Sequence, residues 1–84
     1  MTEITIYTTM LCPYCHSAKR LLGEKNVAYS EIDVTFDPAG RRQMTELAGK
    51  TSVPQIFVGK THVGGCDELY ALEGNGELDK LLSV

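Results

Sequence analysis

The sequence has no tryptophan, no surplus of basic residues, no long apolar run and only three cysteines, and these shortages remove whole classes of function. Eight basic residues stand interspersed among eleven acidic ones, for a net charge of −3, so there is no basic face for nucleic acid or an anionic membrane. No apolar run approaches the roughly 20 residues that cross a bilayer. The segment Met1-Thr2-Glu3-Ile4 has no basic region followed by an apolar core, so no signal peptide is expected. An odd number of cysteines (Cys12, Cys15 and Cys66) argues against a secreted disulfide scaffold. It favours a reducing, cytoplasmic compartment, where a close thiol pair is catalytic or metal-binding. The 84 residues, 43% hydrophobic and 23% charged, fit one globular domain spanning 1–84 with no room for a second core. A chain of this size buries only about 60–65% of its unfolded surface, so its stability margin is modest.

What is present centres on Cys12-Pro13-Tyr14-Cys15. The alternating segment from Glu3 to Thr8, with Ile4 and Ile6 on one face, reads as a strand ahead of it. After it, Tyr14, Ala18, Leu21 and Leu22 recur at helical spacing through Pro13 to Lys25, with Gly23 expected near the terminus. Pro13 suits the first turn of a helix because it has no N–H to leave unpaired. The Cys12 thiol then lies over the unpaired N–H groups of that turn, and these and the helix dipole stabilise a thiolate.

The rest of the chain alternates in the same way. Ala28 to Val34 returns to strand period. Asp37-Pro38 is a helix start, with Met44, Leu47 and Ala48 as its apolar stripe and Gly49 as its stop. Gln55 to Val58 and Thr61 to Val63 flank a Gly59-Lys60 turn as a hairpin. A third helix is expected from Cys66 to Leu72, and Leu78, Leu81 and Leu82 close the chain as a short amphipathic helix. A strand–helix–strand start followed by a hairpin predicts an α/β fold, a four-stranded mixed β-sheet flanked by helices. A C-x-x-C beside that pattern reads as thioredoxin-like.

Three landmarks together, Cys12-Pro13-Tyr14-Cys15, Thr51-Ser52-Val53-Pro54 and Gly64-Gly65-Cys66-Asp67, resemble the glutaredoxins along nearly the whole chain. The resemblance implies a thioredoxin fold and glutathione as cofactor. It implies reduction of protein disulfides and of protein–glutathione mixed disulfides, in the service of cell redox homeostasis. In such a protein Cys12 is the attacking thiolate, Cys15 the more buried resolving thiol, and Pro54 is cis. The implied glutathione contacts are Tyr14, Arg41, Val53, Pro54, Gly65, Cys66 and Asp67, with Arg41 facing the glycyl carboxylate. A monomer is implied, and ribonucleotide reductase is the family-level protein substrate.

The residue chemistry agrees with that ligand. Val53, held extended by the following proline, can offer N–H and C=O to a peptide. Gly64-Gly65 permits close backbone approach, and the helix start at Cys66-Asp67 suits a carboxylate. One position departs from the pattern: many relatives carry lysine three residues before the first cysteine, and here it is Thr9.

Plainer readings stand beside these. Cys12 and Cys15 are alternatively a structural disulfide or half of a zinc site, for which only Cys66, His16 and His62 remain as partners, so no metal site is assigned. An iron–sulfur or zinc carrier using Cys12 is the non-enzymatic alternative, distinguished by visible absorbance after anaerobic purification. A flavoprotein-fed reductant is the third reading, and the absence of tryptophan beside the motif speaks against it. Met10 and Leu11 are either loop packing or a docking surface for protein substrates.

Overall fold

The computed structural model describes residues 3–82; Met1, Thr2, Ser83 and Val84 lie outside the described residues. Eight elements follow in order: β1 (Ile4–Thr8), α1 (Pro13–Glu24), β2 (Ser30–Asp33), α2 (Pro38–Ala48), β3 (Gln55–Val58), β4 (Thr61–Gly64), α3 (Cys66–Gly74) and α4 (Leu78–Leu82). The strands form one mixed sheet in the order β2-β1-β3-β4. β1 pairs parallel with β2 across the α1 crossover, and antiparallel with β3, which pairs antiparallel with β4. This is the thioredoxin fold.

Strand alternation sorts the core into two layers. Ile4 and Ile6 of β1 and Ile56 and Val58 of β3 point to one face, where Ala18, Leu21 and Leu22 of α1, Leu69 of α3, and Leu78 and Leu82 of α4 cover them. Tyr7 and Phe57 point the other way, against Met44 of α2 and Val34. Their rings meet edge to face at 6.0 Å. The smaller second layer leaves α2 as the lone helix on its side of the sheet.

Polar ties fix the ends of these elements. Lys25 bridges Glu73 at 2.7 Å and Asp79 at 2.8 Å, joining the end of α1 to α3 and α4. Thr8, the last residue of β1, donates its hydroxyl to Glu31 at 2.7 Å, and Lys19 donates to the same oxygen at 3.0 Å. The Thr8 hydroxyl first, and Lys19 second, hold the Glu31 carboxyl below the usual carboxylate range.

Several local expectations need correction. Gly23 lies near the end of α1 as expected, one residue before Glu24, but the left-handed residue that turns the chain is Asn26, with φ of 57°. Glycine in a helix is a modest cost rather than a stop, and asparagine tolerates the left-handed region. Tyr14 is not on the buried stripe of α1, which is Cys15, Ala18, Leu21 and Leu22. Leu47 is exposed, so Met44 is the only buried residue of α2. β2 is shorter than Ala28–Val34, because an edge strand facing solvent pairs only where β1 runs beside it. α3 continues two residues beyond Leu72. Asp37, whose carboxylate accepts from Gly40 N at 3.0 Å, and Gly49, with φ of 73°, bound α2 as expected.

Candidate active site

The site forms where β1 ends and α1 begins. Cys12 is the N-cap of α1, with extended backbone (φ −138°, ψ 97°), and Pro13 follows in the first turn. The Cys12 Sγ accepts the Cys15 backbone N–H at 3.1 Å, which is the capping bond that serine or aspartate makes elsewhere. An acceptor position on a helix start favours a sulfur carrying negative charge, and no acidic residue stands in this first turn to oppose it. The two cysteines are joined as a disulfide, with Cα atoms 5.2 Å apart. Cys15 is fully buried in the α1 stripe, whereas Cys12 keeps 7% of its surface in solvent.

The second element of the site is the loop before β3. The Val53–Pro54 peptide is cis, and the Val53 carbonyl oxygen lies 3.9 Å from the Cys12 Sγ. Beyond it runs a groove whose walls are Tyr14 on one side, Lys50 to Gln55 on a second (without Thr51) and Gly65 to Glu68 on the third. Tyr14 is 65% exposed and so presents its ring to this opening rather than to the core. A Cβ on Gly65 would stand 3.3 Å from the Pro54 carbonyl oxygen, so the absence of a side chain lets the start of α3 lie close to the loop before β3.

The third wall is the start of α3. Glu68 reaches back to the Gly65 N–H at 2.7 Å, one half of a capping box. Cys66 and Asp67 occupy the next two positions, where backbone N–H groups have no partner within the helix. Cys66 is a buried free thiol. Burial first, then the Asp67 and Glu68 carboxylates, push its pKa up, so it stays protonated and does not compete as a nucleophile.

The structure thus brings Tyr14, Val53, Pro54, Gly65, Cys66 and Asp67 together around one opening beside Cys12. Arg41 does not line that opening. Its guanidinium instead donates to the Thr51 carbonyl at 3.0 Å and braces the loop from α2. Sequence reasoning missed Lys50, which lines the groove and offers an ammonium for an anionic ligand. It also missed Gln55, which is only 1% exposed. The Gln55 amide nitrogen donates to the Ser52 carbonyl at 2.9 Å and the Ser52 hydroxyl oxygen at 3.3 Å, leaving its carbonyl oxygen to pair with His62 Nε2 at 2.7 Å. That oxygen only accepts, so Nε2 carries the His62 proton. The His62 ring lies on Phe57 at 4.9 Å, and the chain Ser52–Gln55–His62–Phe57 ties the groove wall to the second core layer. A polar residue at the start of an otherwise apolar strand is the one sequence signal that could have marked Gln55. Among the described residues, no three His, Cys, Asp or Glu side chains converge as a metal site.

The sequence model of the glutaredoxin family matches residues 4–63. The chain is 53% identical to a glutaredoxin of Pseudomonas aeruginosa over 84 residues, covering all of both chains. It is 49% identical to glutaredoxin 3 of Escherichia coli over 82 residues, 98% of this chain and 99% of that one. The crystal structure of a buckwheat glutaredoxin–glutathione complex superposes with a TM-score of 0.88 at 25% identity, over 98% of this chain and 77% of the other. Fold and dithiol together define a thiol–disulfide oxidoreductase built on the thioredoxin fold. With the family match covering more than half its length and two bacterial relatives near 50% identity, the chain belongs to the glutaredoxin family.

Proposed function

We propose that residues 1–84 act as one monomeric glutaredoxin domain that uses glutathione to reduce protein disulfides and protein–glutathione mixed disulfides. The observation that carries this reading is the Cys12 sulfur, capped by the Cys15 N–H and 3.9 Å from the Val53 carbonyl at the edge of the groove. Glutathione is a small peptide with two carboxylates and one ammonium, and the groove offers a partner for each kind of group. The Val53 backbone, at the bend before the cis Pro54, can pair with its peptide bonds. The N–H groups at Cys66 and Asp67 and the Lys50 ammonium suit a carboxylate, and the Asp67 carboxylate suits the ammonium. Pro54 and Gly65 shape the floor, and the Tyr14 ring flanks it. Arg41 contributes by holding Thr51, and its guanidinium has further donors to turn to the glycyl carboxylate. The glutathione seen with the buckwheat relative supports this use of the groove.

In the reaction, the Cys12 thiolate attacks one sulfur of a substrate disulfide along the S–S axis. A Cys12 mixed disulfide forms and the other sulfur leaves as a thiolate. With a protein disulfide, Cys15 then gives up its proton and attacks the Cys12 sulfur, closing the intramolecular bond present in this structure and releasing the reduced substrate. Two glutathione thiols reopen that bond and leave as oxidised glutathione. With a glutathione mixed disulfide, Cys12 keeps the glutathionyl sulfur and a second glutathione thiolate removes it as oxidised glutathione. A lowered Cys12 pKa raises the thiolate fraction while reducing its intrinsic nucleophilicity, and its clearer benefit is that Cys12 becomes a better leaving group.

The cytoplasm, where glutathione keeps thiols reduced, is the compartment in which this cycle would serve redox homeostasis. Ribonucleotide reductase is the first protein substrate to try. The test is turnover of a glutathione mixed disulfide and of a protein disulfide by wild type, Cys12→Ser and Cys15→Ser. Cys12→Ser should fail on both. Cys15→Ser should keep deglutathionylation and lose the protein disulfide. Full activity in Cys12→Ser would overturn the assignment.

A further inference from the structure

Three large apolar side chains stand in solvent on the loop that leads into Cys12 and on the loop fastened to it, and they line no part of the groove. Leu11 is 91%, Phe36 88% and Met10 55% exposed. Met10 and Leu11 lie in the loop that leads from β1 to Cys12, and Phe36 lies in the loop from β2 to α2. The two loops are fastened side by side: Val34 N–H donates to the Thr8 carbonyl at 2.8 Å, and Met10 N–H donates to the Thr35 hydroxyl oxygen at 2.8 Å. A single exposed apolar residue is ordinary, but three on two pinned loops, one of which leads into a reacting sulfur, make a patch with a use.

Carboxylates flank the patch, and the nearby cations are engaged elsewhere: Lys19, which also acts on Asp33, bridges Glu31 at 3.0 Å, and Arg41 of α2 donates to the Thr51 carbonyl. Asp33 accepts from the Thr35 hydroxyl at 2.6 Å and from the Thr35 N–H at 2.8 Å, bonds that hold its carboxyl below the usual range. Asp37, next to Phe36, is fixed by its bond to Gly40 N. Neither the segment from Glu3 to Cys12 nor that from Ser30 to Gly40 contains a lysine or arginine. The groove on the other flank carries Lys50 and the start of α3, which suit an anionic peptide; the patch suits the opposite kind of chain.

From this juxtaposition we propose that Met10, Leu11 and Phe36 dock the polypeptide half of the substrate, and that preferred substrates carry an apolar residue and a basic residue beside the oxidised cysteine. The inference deepens the reading of the site as a protein-disulfide reductant, and its test is made without glutathione so that the two can fail separately. Two peptides would be compared, each closed by the same internal disulfide, one flanked by leucine and lysine and the other by serine and aspartate. The pre-reduced protein would be mixed with each in a single turnover, and each rate constant divided by that of dithiothreitol on the same peptide to remove intrinsic disulfide reactivity.

Wild type should prefer the apolar, basic peptide by about tenfold, since docking buries part of one or two apolar side chains beside two fixed carboxylates. Phe36→Ser should cut the preference to about threefold or less, while Phe36→Leu keeps most of it, because Leu also presents apolar area to the same site. Both variants should turn over the small hydroxyethyl–glutathione mixed disulfide at the wild-type rate. Equal rates on the two peptides, no reduction of the apolar, basic one, or a preference that survives Phe36→Ser would overturn the proposal. The hydroxyethyl–glutathione arm in wild type shows whether the glutathione-dependent reading falls as well.

Discussion

Cys12 and Cys66 both sit at the start of a helix, and their surroundings divide their chemistry. Cys12 is the N-cap of α1, its sulfur accepts a backbone N–H at 3.1 Å, and no carboxylate stands in that first turn. Cys66 occupies the first position of α3, behind a glycine cap, with Asp67 and Glu68 beside it. The same helix dipole acts on both. Where the sulfur takes the capping bond itself, the anion is favoured. Where the sulfur is buried and two carboxylates share the turn, burial first and the carboxylates second push the Cys66 pKa up and favour the proton. A thiol at a helix start is therefore not enough to make a nucleophile; the bond to the sulfur and the charge of its neighbours decide.

The sharpest way to break this contrast is to remove each sulfur in turn. Cys12→Ser should lose all measurable turnover of a glutathione mixed disulfide, while Cys66→Ser should keep turnover within about twofold, a substitution that leaves packing and backbone nearly unchanged. Equal losses in a coupled turnover assay would mean that Cys66 takes part in the chemistry.

The groove wall comes next. Gln55→Leu strands the Ser52 carbonyl and the His62 N–H that the amide pairs with. Leaving a buried polar group without its partner costs about 1–3 kcal/mol, so denaturant unfolding should show a loss of that size. Because Ser52 adjoins Val53, KM for the mixed disulfide should rise more than kcat falls. Gln55→Glu keeps an acceptor for His62 but sets a buried carboxylate against the Ser52 carbonyl, so it should be no more stable than Gln55→Leu at neutral pH.

Thr9→Lys would place an ammonium three residues before Cys12. The expected result is a lower Cys12 pKa and severalfold tighter glutathione binding, the size of effect one partly solvated charge provides. Thiolate absorbance and binding calorimetry read the two effects, and no change in either would show the position to be inert in this chain.

The smallest effect concerns Cys66 alone. In Asp67→Asn with Glu68→Gln, the carboxylates no longer oppose the thiolate, so alkylation of Cys66 should begin at lower pH than in the parent. Burial is the larger cause and remains, so the thiol should still titrate above its ordinary range. The sign for stability follows from the folded chain holding this proton more tightly than the unfolded one. The contribution is intact below the ordinary thiol range and is lost as pH rises through the raised value.

The parts of the fold that sequence revealed are those where one residue dictates local geometry. Cys12-Pro13 and Asp37-Pro38 start helices, Gly49 in the left-handed region stops one, and strand alternation in β1 and β3 sorts Ile4, Ile6, Ile56 and Val58 from Tyr7 and Phe57. What stayed hidden depends on partners distant in the chain. Leu47 falls on the apolar stripe of α2, yet Met44 and Ala48 make the packing against the sheet, and Leu47 edges an open cleft beside Tyr7, Phe57 and His62 and stays largely in solvent. α1 ends at Glu24, just past Gly23, but that the left-handed turn after it falls to Asn26 was not legible, because two residues both able to turn the chain are separated only by where packing stops. Lys50 lies one residue past a helix stop, where periodicity says nothing about direction. Gln55 reads from sequence as the polar start of a strand; only its pairing with Ser52 and His62, three and seven residues away, makes it part of the site wall.

The most direct measurement is the ionisation of the Cys12 thiol in the reduced protein, followed by thiolate absorbance against pH in a Cys15→Ser, Cys66→Ser background. Cys12 should titrate well below the ordinary thiol range, because its sulfur accepts the Cys15 N–H at the head of α1. A midpoint at the ordinary value would contradict it, because the capping bond to the sulfur would then confer no preference for the anion.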